Sequence, residues 1–503
     1  MTYLLAHDLG TSGNKAALFR ADGSVVASVT VAYPTVYPAD GYVEQNADDW
    51  WRAVCESTRA LLESTGTNPS DIAGVALSGT MMGCLLVDEH LDPLRNSIIW
   101  ADTRATREEA WMLDRIGLQR GYRITGHRLS ASYSAAKALW IRAHEPERFG
   151  AAAALLNAKD YIVARLTGVV ATDFSDASGT NLLDIATLKW SDELADAFDF
   201  PAALLPQLHA AADIVGTVTP EAAALTGLLA GTPVAMGGGD GSCACVGAGV
   251  VTEGSAYNVI GTSSWISLAA REPYFDDGLR TFNWVHLDPS LYTPCGTMQA
   301  AGFSYGWYRD TFFGPDADAT LAAHLAESQP GAGGVLFLPY LLGERSPLWD
   351  ANARGAFVGL GASIAPADLT RAVVEGVSYN LKIILDLLDR SARVDDIRVI
   401  GGGAVNAAWM QILADIFGHP LAVLANADMA TARGAAIAGG VGVGLYPDYS
   451  VAQAMARVET RLDPNPDRDG VYQHMFALFQ QAYTGLAPVF AGLATATRGM
   501  VTS

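Results

Sequence analysis

The apolar and polar positions at the start of the chain predict a β-hairpin with a polar turn. Residues 3–6 and 16–19 are apolar, and residues 7–15 between them read His-Asp-Leu-Gly-Thr-Ser-Gly-Asn-Lys. Two apolar runs joined by a glycine-containing turn are typical of antiparallel strands. We therefore expect a hairpin with Asp8 at the end of its first strand.

The same plan recurs half a chain later. Residues 256–260 and 264–268 are largely apolar and flank Gly261, Thr262 and Ser263. A repeat over this distance indicates an internal duplication. Two such turns resemble the actin-like ATPase folds, and that resemblance implies two domains that face each other with a nucleotide between them.

The remaining pattern alternates strands and helices, which is typical of an α/β fold. It predicts strands at residues 72–79, 98–100, 335–338 and 395–400. It predicts helices from Asp48, over most of residues 106–148, over about residues 369–388, around Trp409, and after about Val451. Residues 157–161 and 172–180 are polar and are expected to be loops, and residues 328–334 are typical of a linker.

The first turn has the composition of a phosphate site. Gly10 and Gly13 permit a tight turn and close approach, and backbone N–H groups with the hydroxyls of Thr11 and Ser12 can surround an anion. Asp8 could hold a hydrated magnesium ion, and Lys15 could place a positive charge over a phosphate. An ordinary polar hairpin explains this turn alone equally well.

A second informative stretch is a strand that runs into three glycines and one carboxylate. Residues 232–236 are mostly apolar, residues 237–239 are glycine, and Asp240 follows at the start of a small-residue segment. We expect a tightly packed helix whose first turn carries Asp240, ionised by the helix N-terminus. The alternative, that Asp240 only caps the helix, explains the three glycines less well.

Phosphoryl transfer needs positioned phosphates, a metal ion and a group that accepts the acceptor's proton. Asp240 is the candidate base, and Asp8 the candidate magnesium ligand, with Asp240 beside it as a second one. Glycines between a strand and a helix at residues 401–403 could line an adenosine, although close packing alone could also require them. The candidate nucleotide contacts are Thr11, Ser12, Lys15, Gly261, Thr262, Ser263, Gly302, Gly402, Gly403 and Asn406.

Composition and charge narrow the classes of function. The 503 residues exceed one ordinary core, so we expect at least two domains. The net charge of −21 argues against binding to nucleic acid or an anionic membrane. The five cysteines have no zinc-like spacing, no apolar run is long enough for a membrane span, and the N-terminus has no basic flank. The cytoplasm is therefore the expected location.

Several motifs over nearly the whole chain resemble those of the FGGY carbohydrate kinases. They are residues 8–12, residues 137–140 with Ala138 in place of a larger apolar residue, residues 338–347, and residues 355–360 followed by 368–375. The resemblance implies two actin-like (ribonuclease H-like) domains that close over a sugar, and the use of ATP and Mg²⁺. It implies a sugar-binding domain over 1–250, a nucleotide-binding domain over 251–490, and a tail over 491–503.

Within that family, residues 159–161, 173–180 and 190–191 are most similar to the xylulokinases. This implies transfer of the γ-phosphate to the terminal hydroxyl of a ketopentose, foremost D-xylulose, with Asp240 as base. Two residues depart from that pattern: Met82 stands where histidine is usual, and Gly241 where asparagine is usual. The expected sugar-pocket residues are Met81, Met82, Trp100, Asp102, Asp240 and Gly241. For Met81 and Met82 a place in the hydrophobic core is the alternative.

The sequence leaves other functions open. Gly241 and residues 100–102 are similar to gluconate kinases, so gluconate or another pentulose or polyol is an alternative acceptor. An actin-like ATPase without a sugar acceptor, and a sugar sensor without catalysis, are alternatives from other classes. The expected partners are the sugar and ATP, and a homodimer is one option for the assembly.

Overall fold

Two mixed β-sheets, one in each half of the chain, organise the molecule. The computed structural model describes residues 2–501, with side chains described up to residue 496. Residues 502 and 503 of the predicted tail lie outside the described residues. We refer to residues up to 250 as the first half and to residues from 251 as the second half.

The strands of the first half surround a long central hairpin. They are β1 (Tyr3–Leu9), β2 (Gly13–Arg20), β3 (Val25–Ala32), β4 (Glu44–Gln45), β5 (Ile72–Gly79), β6 (Leu85–Val87), β7 (Ser97–Ile98), β8 (Ala154–Leu156), β9 (Ala171–Asp173), β10 (Leu183–Asp184), β11 (Lys189–Trp190), β12 (Gln207–His209), β13 (Ile214–Thr217), β14 (Pro233–Ala235) and β15 (Gly238–Gly239). The main sheet has the order β13-β14-β5-β1-β2-β3, and β15 also pairs with β5.

The second half repeats this arrangement. Its strands are β16 (Ser255–Ile260), β17 (Ser264–Leu268), β18 (Phe282–Val285), β19 (Tyr292–Met298), β20 (Leu336–Leu338), β21 (Ala356–Val358), β22 (Asp396–Ile400), β23 (Leu421–Leu424) and β24 (Val458–Leu462). The main sheet has the order β18-β19-β17-β16-β22-β23-β24. In each half an antiparallel hairpin (β1–β2, β16–β17) continues into a parallel partner (β5, β22). The predicted α/β fold and duplication are confirmed.

Helices cover both sheets. They are α1 (Ala47–Thr65), α2 (Thr106–Ile116), α3 (Leu118–Thr125), α4 (Ser134–His144), α5 (Pro146–Gly150), α6 (Ala158–Thr167), α7 (Phe174–Ser178), α8 (Asp192–Ala197), α9 (Pro220–Thr226), α10 (Asp240–Gly247), α11 (Gly302–Phe312), α12 (Asp318–Glu327), α13 (Pro366–Leu388), α14 (Ala407–Phe417), α15 (Ala430–Gly442), α16 (Val451–Met455) and α17 (Asp469–Val501). Short 3₁₀ helices lie at Pro69–Asp71, Ala202–Leu204, Ala332–Gly334, Gly402–Val405, Ala427–Met429 and Pro466–Arg468.

Helices α10 and α15 join the two halves. A Cβ added at Gly247 would lie 1.7 Å from the carbonyl oxygen of Ala430, and one at Gly434 would lie 1.9 Å from that of Cys243. Larger residues would force these helices apart. Alanines of α15 also pack with Leu4 and other residues of the first sheet. The predicted tight packing of the small-residue helix is confirmed, and its partner comes from the second half.

The structure corrects three expectations. Residues 158–161 and 174–178 lie in helices α6 and α7 and not in loops. The region after Val451 contains strand β24 as well as helices. Residues 328–334 are not a free linker, because Ser328 donates a hydrogen bond to Asp368 at 2.6 Å and Gly331 N–H donates to Glu375 at 3.1 Å. Polar side chains directed into the interior explain the first and third errors.

One further property concerns membranes. Across the described part of the chain, none of the helices combines the length and the apolar character that a bilayer crossing requires.

Candidate functional site

The register of the first sheet brings the two candidate carboxylates to the same edge. Asp8 pairs in parallel with Ser78, and Ser78 pairs on its other side with Gly238. Asp240 begins α10 two residues after Gly238. Because the carboxyl ends of parallel strands meet at one edge of a sheet, Asp8 and Asp240 converge there from either side of β5.

The three glycines before Asp240 are needed for close packing. A Cβ added at Gly237 would lie 1.8 Å from the carbonyl oxygen of Leu77, and Gly237 has a φ of +68°. A Cβ added at Gly239 would lie 2.5 Å from Sδ of Met81. The N-cap of α10 is Gly239, so the alternative that Asp240 serves only as a cap is wrong.

Burial raises the pKa of both carboxylates, and the charge of Asp8 raises that of Asp240 further. Burial, followed by the charge of Asp8, raises the pKa of Asp240 to about 7, although the N–H of Gly241 opposes this. Burial raises the pKa of Asp8 to about 6, against the opposing effects of Lys15 and Ser78. The expectation that the helix N-terminus keeps Asp240 ionised is therefore wrong, because burial outweighs the N-terminus of a short helix. A carboxylate with a pKa near neutrality is suited to act as a base.

The first polar turn is exposed, and Lys15 next to it contacts the second half of the chain. Gly10 N–H donates to the carbonyl of Gly13 at 3.0 Å and closes the turn, while Thr11 and Ser12 are exposed. Lys15 Nζ donates to the backbone carbonyl of Asp428 at 2.8 Å, so it links the first hairpin to the second half. The structure thus places Lys15 beside the turn, with one of its donors already engaged.

The second polar turn opens onto a cavity of about 1160 Å³. Gly261 N–H donates to the carbonyl of Ser263 at 2.9 Å, and Thr262 is exposed at the cavity wall. Among the predicted nucleotide contacts, the lining includes Gly261, Thr262, Gly302, Gly402, Gly403 and Asn406. The structure therefore brings these six residues together, as expected for one ligand.

Close backbone approach explains the glycines of this cavity. A Cβ added at Gly302 would lie 2.4 Å from the carbonyl oxygen of Gly261, and one added at Gly403 would lie 2.4 Å from Cγ2 of Ile260. Asn406 caps α14, because its Oδ1 accepts from Trp409 N–H at 3.1 Å. Its side-chain oxygen is thus occupied by the helix.

Most of the predicted sugar-pocket residues lie near Asp240 or the first turn. Met81 is buried against Gly239, and Gly241 follows Asp240 in α10. Met82 is partly exposed and has a φ of +62°, a strained conformation for this residue type. Trp100 is exposed, and its Nε1 donates to Thr11 Oγ1 at 3.1 Å.

Asp102 differs from the other predicted pocket residues. It is fully buried, its Oδ2 lies 2.7 Å from Arg104, and it accepts a hydrogen bond from Val43 N–H. Arg104 also pairs with Glu44 at 2.8 Å. The structure therefore places Asp102 within a buried ion cluster, where its oxygens are occupied.

Some residues of the cavity of about 1160 Å³ and one residue beside the predicted sugar pocket were not predicted from the sequence. Helix α11 contributes Tyr305, Trp307 and Arg309 to the wall of the larger cavity. Buried Lys137 donates to the carbonyl of Met82 at 2.7 Å and to that of Ser132 at 2.6 Å, which holds the loop around Met82. The residues of α11 could have been found from the sequence, because several aromatic residues follow directly after Gly302.

Comparisons with known proteins agree with this geometry. The model described as FGGY family of carbohydrate kinases, N-terminal domain, matches residues 3–247, and the C-terminal domain model of that family matches residues 256–443. The chain is 35% identical over 488 residues to the xylulose kinase of Bacillus subtilis (strain 168). The aligned region covers 96% of this chain and 97% of that protein.

Two solved structures have the same fold over almost their entire length. The ligand-bound xylulose kinase from Lactobacillus acidophilus superposes with a TM-score of 0.93 at 28% identity and covers 98% of this chain and 100% of that one. The gluconate kinase from Lactobacillus acidophilus also gives a TM-score of 0.93 at 28% identity, covering 98% of this chain and 99% of that one.

Proposed function

We propose, from the premise that the chain belongs to the FGGY family of carbohydrate kinases, that it phosphorylates D-xylulose. The chain is an ATP-dependent sugar kinase, and the ketopentose specificity is our proposal. It is supported by the similarity to xylulose kinases over nearly the full length. The product is D-xylulose 5-phosphate, formed at the terminal hydroxyl.

The observation that carries the proposal is the position of Asp240 at the sheet edge with a pKa raised to about 7. In its ionised form Asp240 accepts the proton of the terminal hydroxyl of the sugar. The hydroxyl oxygen forms a bond to the γ-phosphorus as the bond from that phosphorus to the β,γ-bridging oxygen breaks, and ADP leaves. Asp240 is the only proton acceptor in this proposal.

We propose that magnesium accompanies ATP. Asp8 and Asp240 fit a divalent cation, because they are two carboxylates at one sheet edge, and the charge of Asp8 adds to burial in raising the pKa of Asp240. Within the described residues no group of three or more His, Cys, Asp or Glu side chains forms a ready-made metal site. Asp8, with Asp240 beside it, would hold the ion together with water and phosphate oxygens, and the ion would offset the charge of the phosphates.

The nucleotide is proposed to occupy the cavity of about 1160 Å³. Its adenosine would lie along Gly402, Gly403 and Asn406, and its phosphates would extend past Gly261, Thr262 and Ser263 toward the first turn. Thr11, Ser12 and Lys15 would then contact the γ-phosphate end. Exposed hydroxyls in both turns support this path.

For the sugar, we propose contacts with Met81, Met82, Trp100 and Gly241, in addition to Asp240. Asp102 would act indirectly, because Arg104 and Val43 N–H occupy its oxygens. Gluconate is the second candidate acceptor, favoured by Gly241 and by the similarity to a gluconate kinase structure.

Three further features of the protein are also proposals. They are the domain limits at 250 and 490, a cytoplasmic location and a homodimer. Two sheets of matching topology, one on either side of residue 250, support the first limit. The alternative of an actin-like ATPase without a sugar acceptor is not supported, since both family models are those of carbohydrate kinases.

The test is a panel of acceptors assayed for ADP release with MgATP. D-xylulose, L-ribulose, D-gluconate, glycerol and no acceptor would be compared by kcat/KM. We expect D-xylulose to exceed the others by at least about tenfold. Clear turnover of gluconate without turnover of any ketopentose would replace the proposed acceptor with the second candidate.

A further inference from the structure

A buried cluster of charges lies directly behind the candidate base. Lys159 is fully buried, and its Nζ lies 2.6 Å from Asp160, 2.9 Å from Asp173 and 3.3 Å from Asp176. Burial alone would lower the pKa of Lys159, but the three carboxylates raise it above its ordinary value. The lysine therefore stays charged and orients the carboxylate of Asp173.

Asp173 in turn orients one hydroxyl. Its Oδ2 accepts from Ser175 N–H at 2.7 Å and from the Ser175 hydroxyl. Because the single hydroxyl proton is directed at a carboxylate, the lone pairs of Ser175 Oγ are free to accept. Gly239 N–H donates to Ser175 Oγ at 2.9 Å. A chain of polar contacts thus connects Lys159, through Asp173 and Ser175, to Gly239, the residue before Asp240.

This last hydrogen bond marks the point where the strand becomes a helix. Gly239 lies opposite Gly79 in the sheet and is also the N-cap of α10. Its N–H is taken by a side chain of α7, and Asp240 is the first helical residue. Ser175 is fully buried, and a Cβ at Gly238 would lie 2.9 Å from its Oγ, so the hydroxyl has little freedom to move.

We propose that Ser175, oriented by Asp173 and Lys159, is a positioning residue for Asp240. It holds the peptide of Gly239 so that the carboxylate of Asp240 meets the acceptor hydroxyl. The inference rests on the proposed function, since it takes Asp240 as the base. Ser175 itself touches neither substrate in this proposal.

The test compares Ser175→Ala with Thr226→Val. Thr226 is also fully buried, and its hydroxyl accepts from Leu228 N–H at 3.3 Å, so both variants remove a buried hydroxyl that accepts a backbone N–H. We expect kcat of Ser175→Ala to fall roughly ten- to a hundredfold, with KM for ATP and sugar within about twofold, because the base is misplaced. In Thr226→Val kcat should stay within about twofold of the parent. Binding stoichiometry of an ATP analogue gives the folded fraction used to normalise kcat.

A second variant covers the case in which Ser175→Ala does not fold. Asp173→Asn keeps the shape of the side chain and removes the charge that faces Lys159, and we expect kcat to fall about three- to tenfold at unchanged KM. Parent-like kcat in whichever variant folds, or an equal fall in Thr226→Val, would overturn the inference. If Asp240→Asn is inactive while Ser175→Ala turns over normally, only the positioning role is lost. If Asp240→Asn turns over normally, the proposed base is lost as well.

Discussion

The two polar hairpins share the sequence Gly-Thr-Ser but differ in the length of the turn, which spans residues 10–13 in the first and 261–263 in the second, and in the side chains around it. In each, the N–H of the first glycine closes the turn onto a carbonyl near its end, at 3.0 Å in the first and 2.9 Å in the second. Aligning Gly10 with Gly261 matches Thr11 with Thr262 and Ser12 with Ser263. Both turns therefore present the same N–H and hydroxyl groups, which suit phosphate oxygens of either half of a nucleotide tail.

The flanking strands differ in charge. Asp8 aligns with Val259. The cross-strand partner of Asp8 is Lys15, whereas that of Val259 is Trp265, so the first hairpin carries both charged groups. Burial and then the carboxylate of Asp8 raise the pKa of Asp240, whereas the second turn opens onto the cavity proposed for the nucleotide. Duplication therefore supplied the same Gly-Thr-Ser sequence twice, while the strand side chains place a carboxylate beside Asp240 in the first copy alone.

Removing the base should have the largest effect. Asp240→Asn keeps the shape of the side chain but cannot accept the sugar proton, so we expect kcat to fall about 10³-fold or more. The affinity for ATP, measured by titration calorimetry, should change by less than about threefold, because the cavity and second turn are intact. Turnover near that of the parent would assign the base to another group.

Removing the charge of Asp8 in the first hairpin should have the second-largest effect on kcat. Asp8→Asn removes a proposed magnesium ligand, and we expect kcat to fall about 10²-fold with a weaker response to magnesium concentration. The matched control is Val259→Ala in the second hairpin, for which we expect kcat within about threefold. Equal losses in the two variants would contradict the division of labour between the hairpins. The measurement is ADP release over a magnesium titration.

Removing one hydroxyl from each turn tests whether the two turns contact different parts of the triphosphate. Thr262→Val should raise KM for ATP about tenfold with little change in kcat, since the lost hydrogen bond reaches a phosphate in both ground and transition states. Thr11→Val should instead lower kcat about tenfold, because the first turn lies at the transferred phosphate, and it also frees Trp100 Nε1. Interchanged patterns of KM and kcat would reverse the proposed orientation of the triphosphate.

A separate prediction concerns stability in acid. His7 is fully buried between Asn14 at 3.1 Å and Thr58 at 3.3 Å, and burial lowers its pKa to about 4. The unfolded chain binds this proton from about pH 6.5 downward and the folded chain does not, so folding is weakened by up to about 3 kcal/mol as pH falls from 6.5 to 4.

In the second hairpin the matching residue is Asn258, which does not titrate. His7→Asn should therefore lower the unfolding temperature at pH 7.5 through altered packing, yet lose less between pH 6.5 and 4.5 than the parent does. Asp8 and Asp240, whose pKa values are raised, act in the opposite direction in both proteins and cancel in the comparison. Parallel pH profiles of the unfolding temperature would show that His7 is not responsible.

Residues whose roles follow from a local pattern were predictable. The hairpin of Asp8, the strand before Asp240, and the turn of Thr262 each rest on a few neighbouring residues, and backbone sterics act over that range. Helices α6 and α7 were predicted as loops because Lys159, Asp173 and Asp176 are polar in sequence. In the fold Lys159 forms ion pairs with both aspartates inside the protein, which no local pattern reveals.

The sequence by itself determined the two turns, the duplicated α/β plan and the acid that follows three glycines, because these depend on local backbone geometry and hydrophobic period. Only the tertiary structure decided that burial raises the pKa of Asp240, that Asp102 lies within an ion cluster, and that Ser175 holds Gly239. The partners are distant along the chain: Val43 N–H lies 59 positions from Asp102, Ser175 lies 64 positions from Gly239, and Asp8 lies 232 positions from Asp240. Distances in space, and not spacing in sequence, set those energies.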